Sequence, residues 1–243
     1  MTDPSSFADL IQSAIDNKTK PLGALGQIET LAAQIAQIQN TLTPSAETCT
    51  LSIFAADHGM AAAGVSAYPS DVTAQMVLNF LAEGAAANVF AKTLGANVQV
   101  VDAGVAGPMI DHPHLVQRRI ADGTQNAITG PAMTERQLQD TLAAGKEIGQ
   151  AIETDVACFG EMGIGNTSAA SLISAKVLER PIETLVGRGT GLDDAGLVRK
   201  TALLNQASDR TEPLLDAATA LREYGGFKNT IICSTMIGSA QTE

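Results

Sequence analysis

The chain has 243 residues, 45% of them apolar and only 3% aromatic, and a formal charge of −11. That length and apolar share suit one large α/β domain, alone or with a small lobe, whose core must rest on Ala, Val, Ile, Leu and Met. The acidic balance argues against a nucleic-acid partner and against an anionic membrane surface, because both require clustered Lys and Arg.

The first residues, MTDPSSFADL, show no basic stretch followed by an apolar one, and no apolar run is long enough to cross a bilayer. A cytoplasmic protein is therefore expected. Cys49, Cys158 and Cys233 are odd in number, far apart and mostly set in apolar runs, which reads as reduced, buried thiols with no disulfide or zinc framework.

Along the chain, Leu25, Ile28, Leu31, Ile35, Ile38 and Leu42 step by three and four and predict one amphipathic helix. Short apolar runs at 50–55, 97–102, 115–120, 155–159 and 182–186 predict five strands, several apolar on both faces as in a covered parallel sheet. Ser70 is placed to cap a helix through Phe80. Thr134 and Gln137 form a capping-box pattern ahead of Leu138, Leu142, Gly145, Gly149 and Ile152, whose glycines predict a close helix–sheet approach. Asp193 or Asp194 caps the helix carrying Leu197, Thr201 and Leu204. The segment 230–233 fits a strand or part of a helix.

This alternation predicts a three-layer α/β/α fold with a mainly parallel, Rossmann-like sheet and right-handed crossovers. Ligands in such sheets bind beyond the carboxyl ends of the strands. Three segments fall there: 56–68, 160–167 and 187–194.

The middle one, GEMGIGNTSAAS at 160–171, has the spacing of a phosphate-binding loop, with Asn166 where the lysine would stand. Backbone N–H groups at a helix start favour an anion, and Asn166, Thr167 and Ser168 add donors. Without the lysine, a monophosphate held by neutral donors suits the loop better than a triphosphate. A tight strand–helix turn with no ligand explains the pattern as well. Glu161 beside the loop repels phosphate and suits a ribose hydroxyl or a ring N–H. Asp57 and His58 fall at a strand end, fit for proton transfer or for a structural turn. In VGRGTGLDD, three glycines permit close backbone approach and Arg188 is the anion-binding side chain. His112 and His114 lack further metal ligands. Gly104 and Gly107 do not complete a dinucleotide fingerprint.

The segments KTKPLGALGQIE, FAADHG, GVSAYPSDVTAQMV, GEMGIGNTSAAS, VGRGTGLDD and LREYGGF, in this order, resemble the nicotinate-nucleotide–dimethylbenzimidazole phosphoribosyltransferases of cobalamin lower-ligand assembly. The resemblance runs from Lys18 to about residue 240 and implies transfer of phosphoribose from nicotinate mononucleotide to 5,6-dimethylbenzimidazole. It implies an N-terminal helical segment, 1–45, as small lobe and a phosphoribosyltransferase domain over 46–243. It further implies a homodimer with small-molecule substrates and no metal or organic cofactor. Carried onto this sequence, Gly163, Gly165, Asn166, Thr167, Arg188 and Gly189 hold phosphate and ribose. Ser66, Tyr68 and Gln75 line the base pocket, with Asp57, His58 and Asp193 nearby. The family's catalytic base is a glutamate in a C-terminal segment ending Gly-Glu-Gly, which this sequence does not contain. The domain is therefore expected to be C-terminally incomplete, with an uncovered sheet edge that promotes self-association; the alternatives are a short, non-catalytic relative that binds a nucleotide or aromatic base, and Glu161 as the substitute base.

Overall fold

The structure, a computed structural model, describes residues 6–240. The backbone divides between Glu47 and Thr48 into two compact units. The first contains helices α1 (Phe7–Asp16) and α2 (Gln27–Ile38). Ser6 caps α1 by accepting the Asp9 N–H. Ahead of α2, Glu29 accepts the Leu25 N–H at 3.0 Å and pairs with Lys20 at 2.9 Å, and the hydrogen bond from Lys20 is the main reason its pKa is lowered. The apolar stripe from Leu25 to Leu42 is longer than the helix it forms. Gly26 enters α2 with φ 55, and Asn40 leaves it at φ 47, so both ends of the stripe lie in turns. Leu25, Ile28, Leu31, Ile38 and Leu42 are exposed.

The second unit is built on four parallel strands: β1 (Cys49–Ala56), β2 (Asn97–Gly104), β3 (Leu115–Gln117) and β4 (Val156–Met162), in the order β3-β2-β1-β4. Its helices are α3 (Asp71–Leu81), α4 (Ala86–Leu94), α5 (Glu135–Gln150), α6 (Asn166–Leu178), α7 (Asp194–Ser208), α8 (Ala217–Tyr224) and α9 (Phe227–Ser239).

Strand alternation assigns the two faces. Ile53, Ala55 and Val100 pack with Val77, Phe80 and Ala85, against α3 and α4. Phe54, Ala56, Val101 and Ala103 pack with Leu138, Ile148, Phe227 and Ile231, from α5 and α9. Beside this three-layer core, Leu172, Leu204, Ala207 and Tyr224 hold α6, α7 and α8 in a second apolar cluster.

Several sequence expectations need correction. The segment 182–186 is not a strand: Ile182–Thr184 is a 3-10 turn after Pro181. Its donors are satisfied locally, with Leu185 and Val186 N–H both reaching Ile182 O, while Ile182 itself is buried in the α6–α7 cluster. β3 is only three residues long: Arg118 N–H still donates to Asp102 O of β2, but the next bond, Ile120 N–H to Ala103 O, advances two residues on one side and one on the other and leaves the regular register. Ser70 makes no side-chain cap, since its backbone is already helical at φ −59, ψ −30. Cys158 and Cys233 are exposed and Cys49 half-buried, so the thiols are not core residues. The capping box at Thr134 and Gln137 is present, and 230–233 lies inside α9.

The glycines of α5 serve a helix–helix contact, not a helix–sheet one. A Cβ on Gly145 would lie 2.4 Å from Ile231 O, and one on Gly149 would lie 2.2 Å from Thr235 O, both on α9. α9 returns the fit, since a Cβ on Gly238 would meet Lys146 O at 2.6 Å. Alanine is favoured over glycine in an exposed helix by about 1 kcal/mol. Gly149→Ala is nevertheless expected to destabilise the fold, because overpacking costs about 1–3 kcal/mol. Urea unfolding checks this; a midpoint at or above that of the wild type would show that α5 and α9 are not in backbone contact.

Candidate functional site

The carboxyl ends of β1 and β4 lie side by side, with Phe54 opposite Glu161 and Ala55 opposite Met162. β4 runs into Gly163, and α6 begins at Asn166 after Gly165, which is left-handed at φ 94. The strand–turn–helix that the spacing predicted is therefore formed. A Cβ on Gly165 would press on His58 Cβ at 3.2 Å, so both φ and packing require glycine there.

A cavity of about 340 Å³ opens along the first turns of α6. It is lined by Asn166, Thr167, Ala170, Ser171, Ser174 and, across from them, Leu185, Gly187 and Gly189. The helix N-terminus gives this cavity a positive bias. Ser168, by contrast, is fully buried with no partner for its hydroxyl, so it faces the core and offers nothing to a ligand there.

A buried cation stands behind the cavity lining, bonded to two of its residues. Lys200 of α7 is buried, and its Nζ donates to Thr167 Oγ1 at 2.8 Å and Gly187 O at 3.0 Å. Burial lowers its pKa from the ordinary lysine value. Gly189, at φ +57, passes within 3.0 Å of Thr167 Oγ1 and 3.5 Å of Lys200 Nζ when a Cβ is built on it. Any side chain at that position would crowd both groups. The sequence carried a signal for Lys200: it falls on the buried stripe Gly196, Lys200, Leu204, Ala207, where a charged residue needs a partner.

A second buried lysine lies on the other side of the loop. Lys228, in the first turn of α9, donates to Ala56 O at 2.9 Å and shares a 2.9 Å contact with His58 Nε2. Its Nζ is 3.7 Å from Glu161 Oε2. Burial pushes its pKa down to about 8, opposed by the carboxylates of Glu161 and Asp57. His58 is held well below the usual imidazole range, first by burial and then by the Lys228 charge. Asn166 opposes that shift, although no hydrogen bond closes on His58 Nδ1. Asp57 accepts the Ala106 N–H through Oδ2, while its Oδ1 is buried without a partner. Lys228 is the one charged residue of α9, a signal the sequence reading passed over.

Asn229 fixes the donor side of the loop. Its Oδ1 accepts the Gly226 N–H, and its amide donates to Asn166 Oδ1 at 2.8 Å. That bond occupies the Asn166 amide oxygen, in a residue that lines the cavity. Thr73 of α3 accepts the Ile164 N–H at 3.1 Å and ties the 66–75 segment to the same loop. In that segment Ser66 is half-buried and accepts the Tyr68 N–H, while Tyr68 and Gln75 are exposed.

Two expected residues sit differently. Arg188 is exposed and engaged with Asp194 and with Leu192 O, so its guanidinium is not directed at the cavity lining. Asp193 caps α7 by accepting the Gly196 N–H at 2.7 Å, which is a structural task. A larger hollow of about 860 Å³ lies between α4 and β2, near Asn97 and Val98. It opens at the amino end of β2, away from the loops at the carboxyl ends of the strands, and its lining includes Glu83, Asn88, Lys92 and His114. No group of three or more His, Cys, Asp or Glu among the described residues is arranged to hold a metal ion.

The phosphoribosyltransferase family model (DBI_PRT) matches residues 3–243. The nicotinate-nucleotide–dimethylbenzimidazole phosphoribosyltransferase of Cupriavidus taiwanensis is 48% identical over 234 residues, covering 95% of this chain and 68% of that one. The enzyme of the same name from Aromatoleum aromaticum is 47% identical over 244 residues, covering 99% and 71%. The crystal structure of CobT from Thermus thermophilus superposes with a TM-score of 0.91 at 39% identity, covering 97% of this chain and 72% of that one. The loop, the two lysines and the parallel sheet thus belong to a chain that is a member of the phosphoribosyltransferase family.

Proposed function

We propose that the chain carries out the reaction for which its relatives are named, moving phosphoribose from nicotinate mononucleotide to a benzimidazole base in cobalamin synthesis. The observation that carries this reading is the cavity between α6 and 185–189, with its buried ammonium on Thr167. One ammonium, one helix N-terminus and neutral donors from Asn166 and Thr167 match a single phosphate. They do not match a triphosphate, which is ordinarily held by a loop lysine and Mg²⁺.

In this reading Gly163, Gly165, Asn166, Thr167 and Gly189 hold the phosphate and ribose. Ser66, Tyr68 and Gln75 border the benzimidazole, and Arg188 reaches the site only if it leaves Asp194. The benzimidazole nitrogen attacks C1′ on the face opposite nicotinate. The new N–C1′ bond forms as the bond to the pyridinium nitrogen breaks, and that nitrogen keeps the electron pair. The departing pyridinium is cationic beforehand, so the protein acts mainly by positioning and by excluding water. The second azole nitrogen must give up its proton to a base. Glu161, with its side chain 40% exposed beside the loop, is the carboxylate we assign to that task. A homodimer in the cytoplasm completes the proposal; separately, no helix among the described residues is long and apolar enough to cross a membrane.

Two variants test the assignment. Lys200→Met is expected to weaken nicotinate mononucleotide binding roughly 10- to 150-fold, the loss of about 1.5–3 kcal/mol for a charged hydrogen bond. Calorimetric titration measures it, and unaltered affinity would remove the phosphate from this cavity. Glu161→Gln is expected to lower base-dependent nicotinate release at saturating nucleotide by about 10²–10⁴-fold. Unchanged release would send the azole proton to a different group.

A further inference from the structure

Lys228 is placed where a cation is least favourable. It is fully buried, and it stands in the first turn of α9, where the helix dipole repels positive charge. An apolar side chain of similar length would commonly be as stable or more so at such a position. Its charge therefore has no evident part in holding α9 to the sheet, which Phe227 and Ile231 accomplish.

What the ammonium does touch is the site. Its three N–H groups face three acceptors on two strand ends: Ala56 O and His58 Nε2 at 2.9 Å, and Glu161 Oε2 at 3.7 Å. The backbone closes in on this knot from both sides. A Cβ on Gly163 would lie 1.9 Å from Lys228 Nζ, and one on Gly226 would lie 2.3 Å from His58 Cε1. Because Nε2 receives the ammonium, the His58 proton resides on Nδ1, beside Asn166. Both His58 Nδ1 and Asp57 Oδ1 are buried and unpartnered, so this corner of the site has polar capacity that the fold itself does not use.

We infer that Lys228 is a positioning residue of the nucleotide site: its ammonium ties Ala56, His58 and Glu161 together beneath Gly163, and so sets the His58 tautomer and the ligand-holding form of the loop 163–167. This rests on the proposed function and adds to it a residue that never meets substrate. The charged groups facing Lys228 are Glu161 from β4 and Asp57 after β1, with His58 neutral between them. Lys200 of α7 stands across the loop on Thr167. As pH rises through about 8, Lys228 loses its proton. The neutral amine then has two N–H groups for three acceptors, and Glu161 loses its counter-ion. The second ionisation of a phosphate monoester has its midpoint near pH 6, about two pH units below that step.

Stability runs the other way. The pKa of Lys228 is lower folded, about 8, than its ordinary 10.5. Its charged form therefore opposes folding below about pH 8, and that penalty fades between pH 8 and 10.5. A residue kept for structure alone would not show this opposition between binding and stability.

The test is calorimetric binding of nicotinate mononucleotide from about pH 6.5 to 9.5, with thermal unfolding of the same samples. Wild type is expected to weaken about tenfold through pH 8, and Lys228→Met to bind about tenfold more weakly at pH 7 without that step, as loss of one charged tie predicts. The variant's Tm at pH 7 should be unchanged or higher. Lys200→Met should keep the step near pH 8. Wild-type protein that binds no nucleotide at any pH refutes the proposed function and this inference with it. Nucleotide binding that Lys228→Met reproduces in strength and pH profile refutes the inference alone. Should Lys228→Met not fold, ¹⁵N imidazole spectra of wild type decide the matter. The inference requires that His58 stay in the Nδ1–H tautomer, with an Nε2 shift that moves near pH 8. A His58 that titrates near the free imidazole value, or carries its proton on Nε2, overturns it.

Discussion

Buried ammonium groups at the carboxyl end of the sheet constrain most of what surrounds them. A lysine removed from water must find acceptors or lose its proton. Lys228 takes Ala56 O and His58; Lys200 takes Thr167 Oγ1 and Gly187 O. Each set of acceptors comes from loops that must bend close to the nitrogen. Gly163 meets Lys228 with no room for a Cβ, and Gly189 passes over Lys200 and Thr167 in a left-handed conformation. The glycine-rich segments thus read as the consequence of two buried cations as much as of a bound ligand. A third buried lysine shows the purely structural use of the same chemistry. Lys176 closes the end of α7 by donating to Ser208 O, Thr211 O and Glu212 O.

The sequence was most legible where local signals coincided with the tertiary demand. β1, β2 and β4 are dense apolar runs ending in polar or glycine residues, and they appear where those runs predict. Thr134 with Gln137 and Asp193 cap helices because a side-chain oxygen two or three residues ahead of a free N–H has little competition. The reading failed where partners distant in sequence decide the outcome. Residues 182–186 have strand composition, but Ile182 is drawn into the α6–α7 cluster and the backbone bonds close within the turn. Gly145 and Gly149 lie on a recognisable stripe, yet nothing local says that the opposing surface is another helix. The site was half legible: its glycines and amides lie in contiguous motifs, whereas Lys200, Lys228 and Thr73 reach it from three separate helices. A lysine on a buried helical stripe was the available clue.

The acidic chain poses an electrostatic problem that this arrangement answers. With a formal charge of −11, a phosphate approaching the surface is repelled at long range. An exposed arginine would be a weak remedy, because solvent and salt screen it, and here Arg188 is taken by Asp194. A buried ammonium behaves differently. Its field is screened less, its position is fixed by Thr167 and Gly187, and its own desolvation has been met during folding, so little reorganisation is left for the moment of binding. The cost appears as a lowered lysine pKa, which places the charge nearer to loss at alkaline pH. A site organised in this way selects for ligands small enough to enter a cavity of about 340 Å³ and carrying one compact anion. Polyanions that need several surface cations at once find none grouped there. The choice of a monophosphate over nucleic acid or a triphosphate then follows from where the cations are buried, since the overall charge of the chain disfavours all three alike.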